Sequence, residues 1–78
     1  YPNPGSNQLF LLIHGIENKA GRILMYESSG RLVKVLNVAE FTGEIIEINL
    51  AGFSQGVYYI AVETEGTTIE RQRFVITR

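Results

Sequence analysis

Few residues in this chain are equipped for chemistry, and their spacing decides how far each can be taken. His14 is the single histidine and cysteine is absent, so any triad of nucleophile, base and acid must be built around one imidazole. No acid or nucleophile stands at a spacing that converges on it. His14 therefore reads as an ordinary residue at the end of a strand. The closest carboxylate pairs are Glu63 with Glu65 and Glu44 with Glu47. Glu63 and Glu65 fall on one face of an extended segment, but two carboxylates without an Asp/Asn-rich loop are far from a calcium site. A chain of 78 residues also offers no cleft to hold a sugar between the acid and base of a glycosidase. Both pairs read as solvated edges.

Tyr1, Tyr26, Tyr58 and Tyr59 invite a different chemistry, since flat aromatics on an open sheet stack against sugars. Tyr58 and Tyr59 are adjacent, so in a strand they must point to opposite faces, and at least one of them serves the core. Packing is the reading preferred for this set. The eight glycines lie dispersed among turns with no phosphate-loop spacing, which leaves nucleotide binding without support.

Composition narrows the classes further. Seven basic and eight acidic side chains give a formal charge of −1 and are scattered along the chain, so the basic footprint of a nucleic-acid binder or a polybasic membrane surface is missing. Hydrophobic residues at 45% against 19% charged supply enough apolar surface to offset the entropy of ordering, which argues for a globular fold. At this length one core is expected. The lack of cysteine removes disulfides and thiolate metal sites without fixing a compartment. No stretch approaches the roughly 20 apolar residues of a membrane span, so direct membrane insertion is not expected. The opening Tyr1-Pro2-Asn3-Pro4 has neither an initiator Met nor a signal-peptide pattern, and the sequence reads as a piece cut from a longer protein.

The elements that must position any site follow a rhythm of two. Tyr1 to Asn7 is turn chemistry, with two prolines fixing φ. Leu9-Phe10-Leu11-Leu12-Ile13 is an apolar run of strand length, expected to be buried on both faces or at a sandwich core. Glu17 to Gly21 turns the chain. Arg22 to Tyr26 and Leu32 to Val38 flank Glu27-Ser28-Ser29-Gly30-Arg31, a hairpin whose Gly30 suits a positive φ. Ile46, Ile48 and Leu50 alternate with Glu47 and Asn49, the clearest period of two. Ala51 to Gln55 is a loop anchored by Phe53, and Gly56 opens the strand-forming run Val57 to Val62. After a turn at Glu63 to Thr67, Thr68 to Thr77 forms a last strand with an exposed first half. The pattern predicts an all-β fold, an antiparallel β-sandwich of about seven short strands. Ile46, Ile48, Leu50, Tyr58, Ile60 and Val62 are expected to face one core. Gly56 is expected to hold a conformation, or fill a packed spot, that a side chain would disturb.

These pieces, in this order, resemble the C-terminal sorting domains of the type IX secretion system, type A, the Por secretion tail family. Such tails open with a Tyr-Pro-Asn-Pro-like element, matched by Tyr1, Pro2, Asn3 and Pro4. A strand, a Gly turn and a hydrophobic strand follow, matched by Ile23 to Val33 with Gly30 at the turn. The most distinctive stretch is matched by Ile48-Asn49-Leu50 and Phe53-Ser54-Gln55-Gly56-Val57-Tyr58. A last strand with basic residues is matched by Arg71-Gln72-Arg73-Phe74-Val75-Ile76-Thr77-Arg78. The chain has Glu27-Ser28-Ser29 where Asp or Asn is common, and Arg where Lys is frequent.

The resemblance implies an immunoglobulin-like β-sandwich that performs no catalysis and needs no cofactor or metal. It implies a C-terminal signal domain spanning residues 1–78, attached to an N-terminal cargo, passing through the periplasm and outer membrane to the surface or the medium. Type IX translocon and surface sortase components are the implied partners, and nucleic acid is not among them. Candidate recognition or motif residues are Pro2, Asn3, Pro4, Gly30, Leu50, Gly56 and Tyr58, with Arg71, Arg73, Phe74, Ile76 and Arg78 in the last strand. The alternative reading is an accessory immunoglobulin-like module that binds carbohydrate or a protein partner.

Overall fold

The computed structural model describes residues 8–77. Pro2, Asn3, Pro4 and Arg78 lie outside them. Six strands follow in order: β1 (Gln8–Leu11), β2 (Gly21–Glu27), β3 (Leu32–Val38), β4 (Ile46–Asn49), β5 (Gly56–Thr64) and β6 (Thr67–Ile76). All pairings are antiparallel, β1 with β4 in a two-stranded sheet and β3-β2-β5-β6 in a four-stranded one. The chain is therefore all-β, two sheets stacked as in an immunoglobulin-like sandwich. Six strands stand among the described residues where about seven were expected.

Turn chemistry explains the two tight hairpins. Between β2 and β3 the Gly30 amide donates to the Glu27 carbonyl at 2.8 Å and the Glu27 amide to the Arg31 carbonyl at 2.9 Å. Gly30 there has φ +95°, the left-handed position of a three-residue hairpin loop. Between β5 and β6, Thr64 pairs with Thr67, and Glu65 and Gly66 both have positive φ, the geometry of a two-residue type I′ turn. Glu65 is thus a turn residue and shares no strand face with Glu63.

The period of two assigns the core. Ile23 and Met25 of β2, Ile48 of β4, and Tyr58, Ile60 and Val62 of β5 point inward, joined by Leu50 and Ile76. Ile46 is partly buried against the same cluster, so the six residues expected on one core all reach it. Phe41 closes one end, held where its amide donates to the Lys19 carbonyl and its own carbonyl accepts from the Asn18 amide.

One local expectation is corrected, and two are narrowed to one of their alternatives. The β1 run is not buried on both faces: Leu9 and Leu11 face inward, whereas Phe10 is 60% exposed and Leu12 is also open. A two-stranded sheet has only one face to bury, and nothing among the described residues covers the other. Gly21 does not turn the chain; it is the first residue of β2, paired with both Val38 and Thr64. A Cβ on Gly21 would run into the Glu63 carbonyl oxygen and come within 2.8 Å of the Phe41 ring, so a strand and a core side chain approach there as only glycine permits. Gly56, by contrast, has open space around it, the nearest atom lying 4.0 Å away on the Tyr58 ring. Its constraint is its backbone, at φ +153°.

Candidate recognition surface

The groups first considered for chemistry stay apart. His14 Nδ1 lies 3.8 Å from Glu17 Oε2 in an exposed loop. The backbone amide of Glu17 itself, against an opposing desolvation and with the Gly15 amide and His14 adding to it, holds the Glu17 carboxyl below the usual range. Glu63 is taken up by Arg22, whose Nη2 lies 2.6 Å from its Oε1, and Glu65 by Lys19 at 3.7 Å. Glu47 accepts from the side-chain amide of Gln8 across the small sheet. Among the described residues no three His, Asp or Glu side chains gather as metal ligands would.

The sequence-predicted recognition residues divide into two groups. Leu50, Tyr58, Phe74 and Ile76 belong to the interior or its margin. Tyr58 sits between Phe53 and Phe74, with ring centroids 5.6 and 5.7 Å away, and its hydroxyl donates to the Ser54 carbonyl at 2.8 Å. That bond satisfies the one polar atom of a buried ring. It also ties the Ala51 to Gln55 loop to β5, which is why Phe53 anchors it. Gly30 and Gly56 shape the backbone. These residues build the scaffold, and Phe74 and Ile76 fasten β6 to it from the inner side.

Arg71 and Arg73 form the second group. Among the described strands β6 lies at the edge of its sheet, and its alternation sends Arg71, Arg73 and Val75 to the outer face of the four-stranded sheet. There Arg73 pairs with Tyr59, and Arg71 with Ala61. Arg22 and Arg31 each hold a carboxylate; Arg71 and Arg73 hold none among the described residues.

Their neighbours on that face come from strands distant in sequence. Tyr26 stands opposite Tyr59, and Leu24 opposite Ala61, so tyrosines and aliphatics run side by side toward the arginines. Leu24 at 6% and Ala61 at 7% exposure are sheltered although they face away from the core. Tyr26, Tyr59 and Arg71 wall them in, with Thr68 and Glu63 on the rim, leaving an open depression of about 250 Å³. The available signal was the uninterrupted run Ile23-Leu24-Met25-Tyr26 in β2, which places apolar groups on both faces of the strand.

Residues 1–77 match the family described as the secretion system C-terminal sorting domain. Beta-agarase A of Zobellia galactanivorans is 32% identical over 69 residues, which are 88% of this chain and 12% of the agarase. This chain therefore corresponds to a small part of that relative's length. No solved structure matches. With the family match running from the first residue to the penultimate one, the chain belongs to the C-terminal sorting domains of the type IX secretion system.

Proposed function

We propose that the chain is a non-catalytic signal carried at the C-terminus of a larger cargo protein. In this reading it directs the cargo through the type IX translocon across the outer membrane, and a surface sortase then removes it. The cargo ends at the cell surface or in the medium. The observation that supports this reading is the family match over residues 1–77. The agarase, of which the matching segment makes up 12%, fits a small domain attached to a large protein. The fold supplies what such a signal needs physically: a closed core that keeps one shape, and an edge strand with side chains displayed on one face.

The test is a fusion of residues 1–78 to the C-terminus of an inert periplasmic reporter, in a host with a type IX system and in the same host lacking the translocon. The expected result is reporter at the surface or in the medium of the first strain only, with a mass lower by that of the tail. Retention in the periplasm of the competent strain refutes the sorting role. Export at full mass refutes the sortase step alone. Deleting Phe74 to Arg78 is a poor substitute for this experiment, because Ile76 is buried and Phe74 stacks on Tyr58, so the deletion removes the core along with any signal.

A further inference from the structure

We propose that the outer face of β2, β5 and β6 is the surface the export machinery reads, and that the partner is an acidic protein surface with one projecting apolar side chain. This inference rests on the sorting role and names the part of the domain that performs it. The projecting side chain, of leucine or phenylalanine size, enters the depression over Leu24 and Ala61. Carboxylates of the partner lie opposite Arg71 and Arg73.

Three observations carry it. The depression exists because Ala61, a small residue, stands between Tyr59 and Glu63 on the outer face of β5, so its neighbours rise around it. At about 250 Å³ it falls below the roughly 300 Å³ at which drug-sized ligand sites begin, and suits one side chain better than a whole small molecule. Its surroundings are tyrosine and arginine, the residues enriched where protein interfaces concentrate binding energy, with Val35 and Val75 exposed beyond them. Arg22 pairs with Glu63 at the rim, while among the described residues no carboxylate pairs with Arg71 or Arg73, which leaves both open to an incoming acid.

The outer face of the other sheet provides the contrast. Phe10, Leu12 and Ile45 are exposed there, but the polar groups between them are Gln8, Glu47 and Asn49, with no cation on either strand. A partner selected for acidity has nothing to hold on that side.

The experiment uses the reporter fusion with four variants, each purified as a domain and checked for an unchanged unfolding midpoint. Arg71→Glu with Arg73→Glu reverses the charge, and Ala61→Phe fills the depression from the outside. Both are expected to lower the exported fraction by about tenfold or more, the factor that corresponds to about 1.4 kcal/mol of lost binding. Arg71→Lys with Arg73→Lys, which keeps the charge, is expected to stay within about threefold of the intact fusion, under 1 kcal/mol by the same conversion. Phe10→Ser with Ile45→Ser, on the opposite sheet, is expected to export normally. Normal export of both the charge-reversed and the filled variant overturns the proposal while leaving the sorting role intact. Retention of the unmodified fusion in a competent host fails the sorting role itself. An acidic glycan is the competing ligand: if polygalacturonate binds the isolated domain, the charge reversal abolishes that binding and export is unaffected, the face is a sugar site and the proposal falls.

Discussion

The two faces of the four-stranded sheet are made by the same strands and do opposite work, and the neighbours Tyr58 and Tyr59 show the division most directly. Tyr58, 6% exposed, lies between two phenylalanine rings with its hydroxyl bonded to the backbone; Tyr59, 43% exposed, stands beside Arg73 on the outside. The inner face is covered by the small sheet and spends its side chains on stability. The outer face is apolar enough to hold a partner, yet among the described residues it carries no other layer. In the proposed role as a recognised signal, this separation lets the outer surface vary without unfolding the scaffold.

The largest effect that tests the separation is expected at Met25. Its side chain is fully buried between the sheets, so Met25→Ala should lower stability by about 2–5 kcal/mol, a transfer loss plus an unfilled cavity. Ala61→Phe, on the other face of the neighbouring strand, should leave the denaturation midpoint nearly unchanged. A denaturant titration of both purified domains checks the pair. Equal losses would mean that the outer face is part of the fold's support and not a free surface.

Two glycines sharpen the comparison by failing for different reasons. At Gly21 the obstacle is space, since any Cβ meets the Glu63 carbonyl and the Phe41 ring; Gly21→Ala should cost about 1–3 kcal/mol by overpacking. At Gly56 the obstacle is the backbone, with room available but φ at +153°. Gly56→Ala should cost about 1–3 kcal/mol through strain, and Gly56→Val more, because a β-branched residue tolerates a positive φ least. An unfolding midpoint left unchanged by Gly56→Ala would show that the backbone there is not strained.

Much of this arrangement was legible in the sequence because it is local. The limits of β3 at Leu32 and Val38, the Gly30 hairpin, the opposite directions of Tyr58 and Tyr59, and the alternation of Ile46, Ile48 and Leu50 all follow from periods and turn chemistry within a few residues. What was not legible depends on pairings distant in sequence. Gly21 reads as a turn until Val38 and Thr64 are found on either side of it. Leu9 to Ile13 reads equally as buried on both faces or as lying at a sandwich core until β1 is seen to pair with β4 alone among the described strands. Glu63 and Glu65 read as a pair until the tight turn places Glu65 at its tip. For the proposed recognition surface, Arg71 and Arg73 are visible as basic residues of an exposed strand. The depression beside them combines residues of β2 and β5, separated by more than thirty positions, and no single segment displays it.

The smallest effect is expected at the margin where the two faces meet, in the β2–β3 hairpin. Arg31 Nη2 donates to the Glu27 carboxylate at 2.7 Å and the Ser29 hydroxyl donates at 2.8 Å, and these bonds, Arg31 first, hold the Glu27 carboxyl below its ordinary range. A carboxyl whose pKa is lowered on folding contributes stability that is fully present above its unfolded value, near about 4.3, and is lost as pH falls through the folded value. Glu27→Gln removes this contribution at every pH. The stability difference between the unmodified domain and Glu27→Gln should therefore be constant near neutrality and close progressively on the acid side. Glu17 titrates in both proteins and cancels from the difference. The gap should be small throughout, because the pair is exposed and screened by salt, and it should shrink further in 1 M salt. Denaturant titrations at a series of pH values measure it. A gap that is large, or that widens toward acid, would mean that the hairpin tip holds the scaffold together and that the boundary between supporting and readable surface lies further inward than the burial of its side chains indicates.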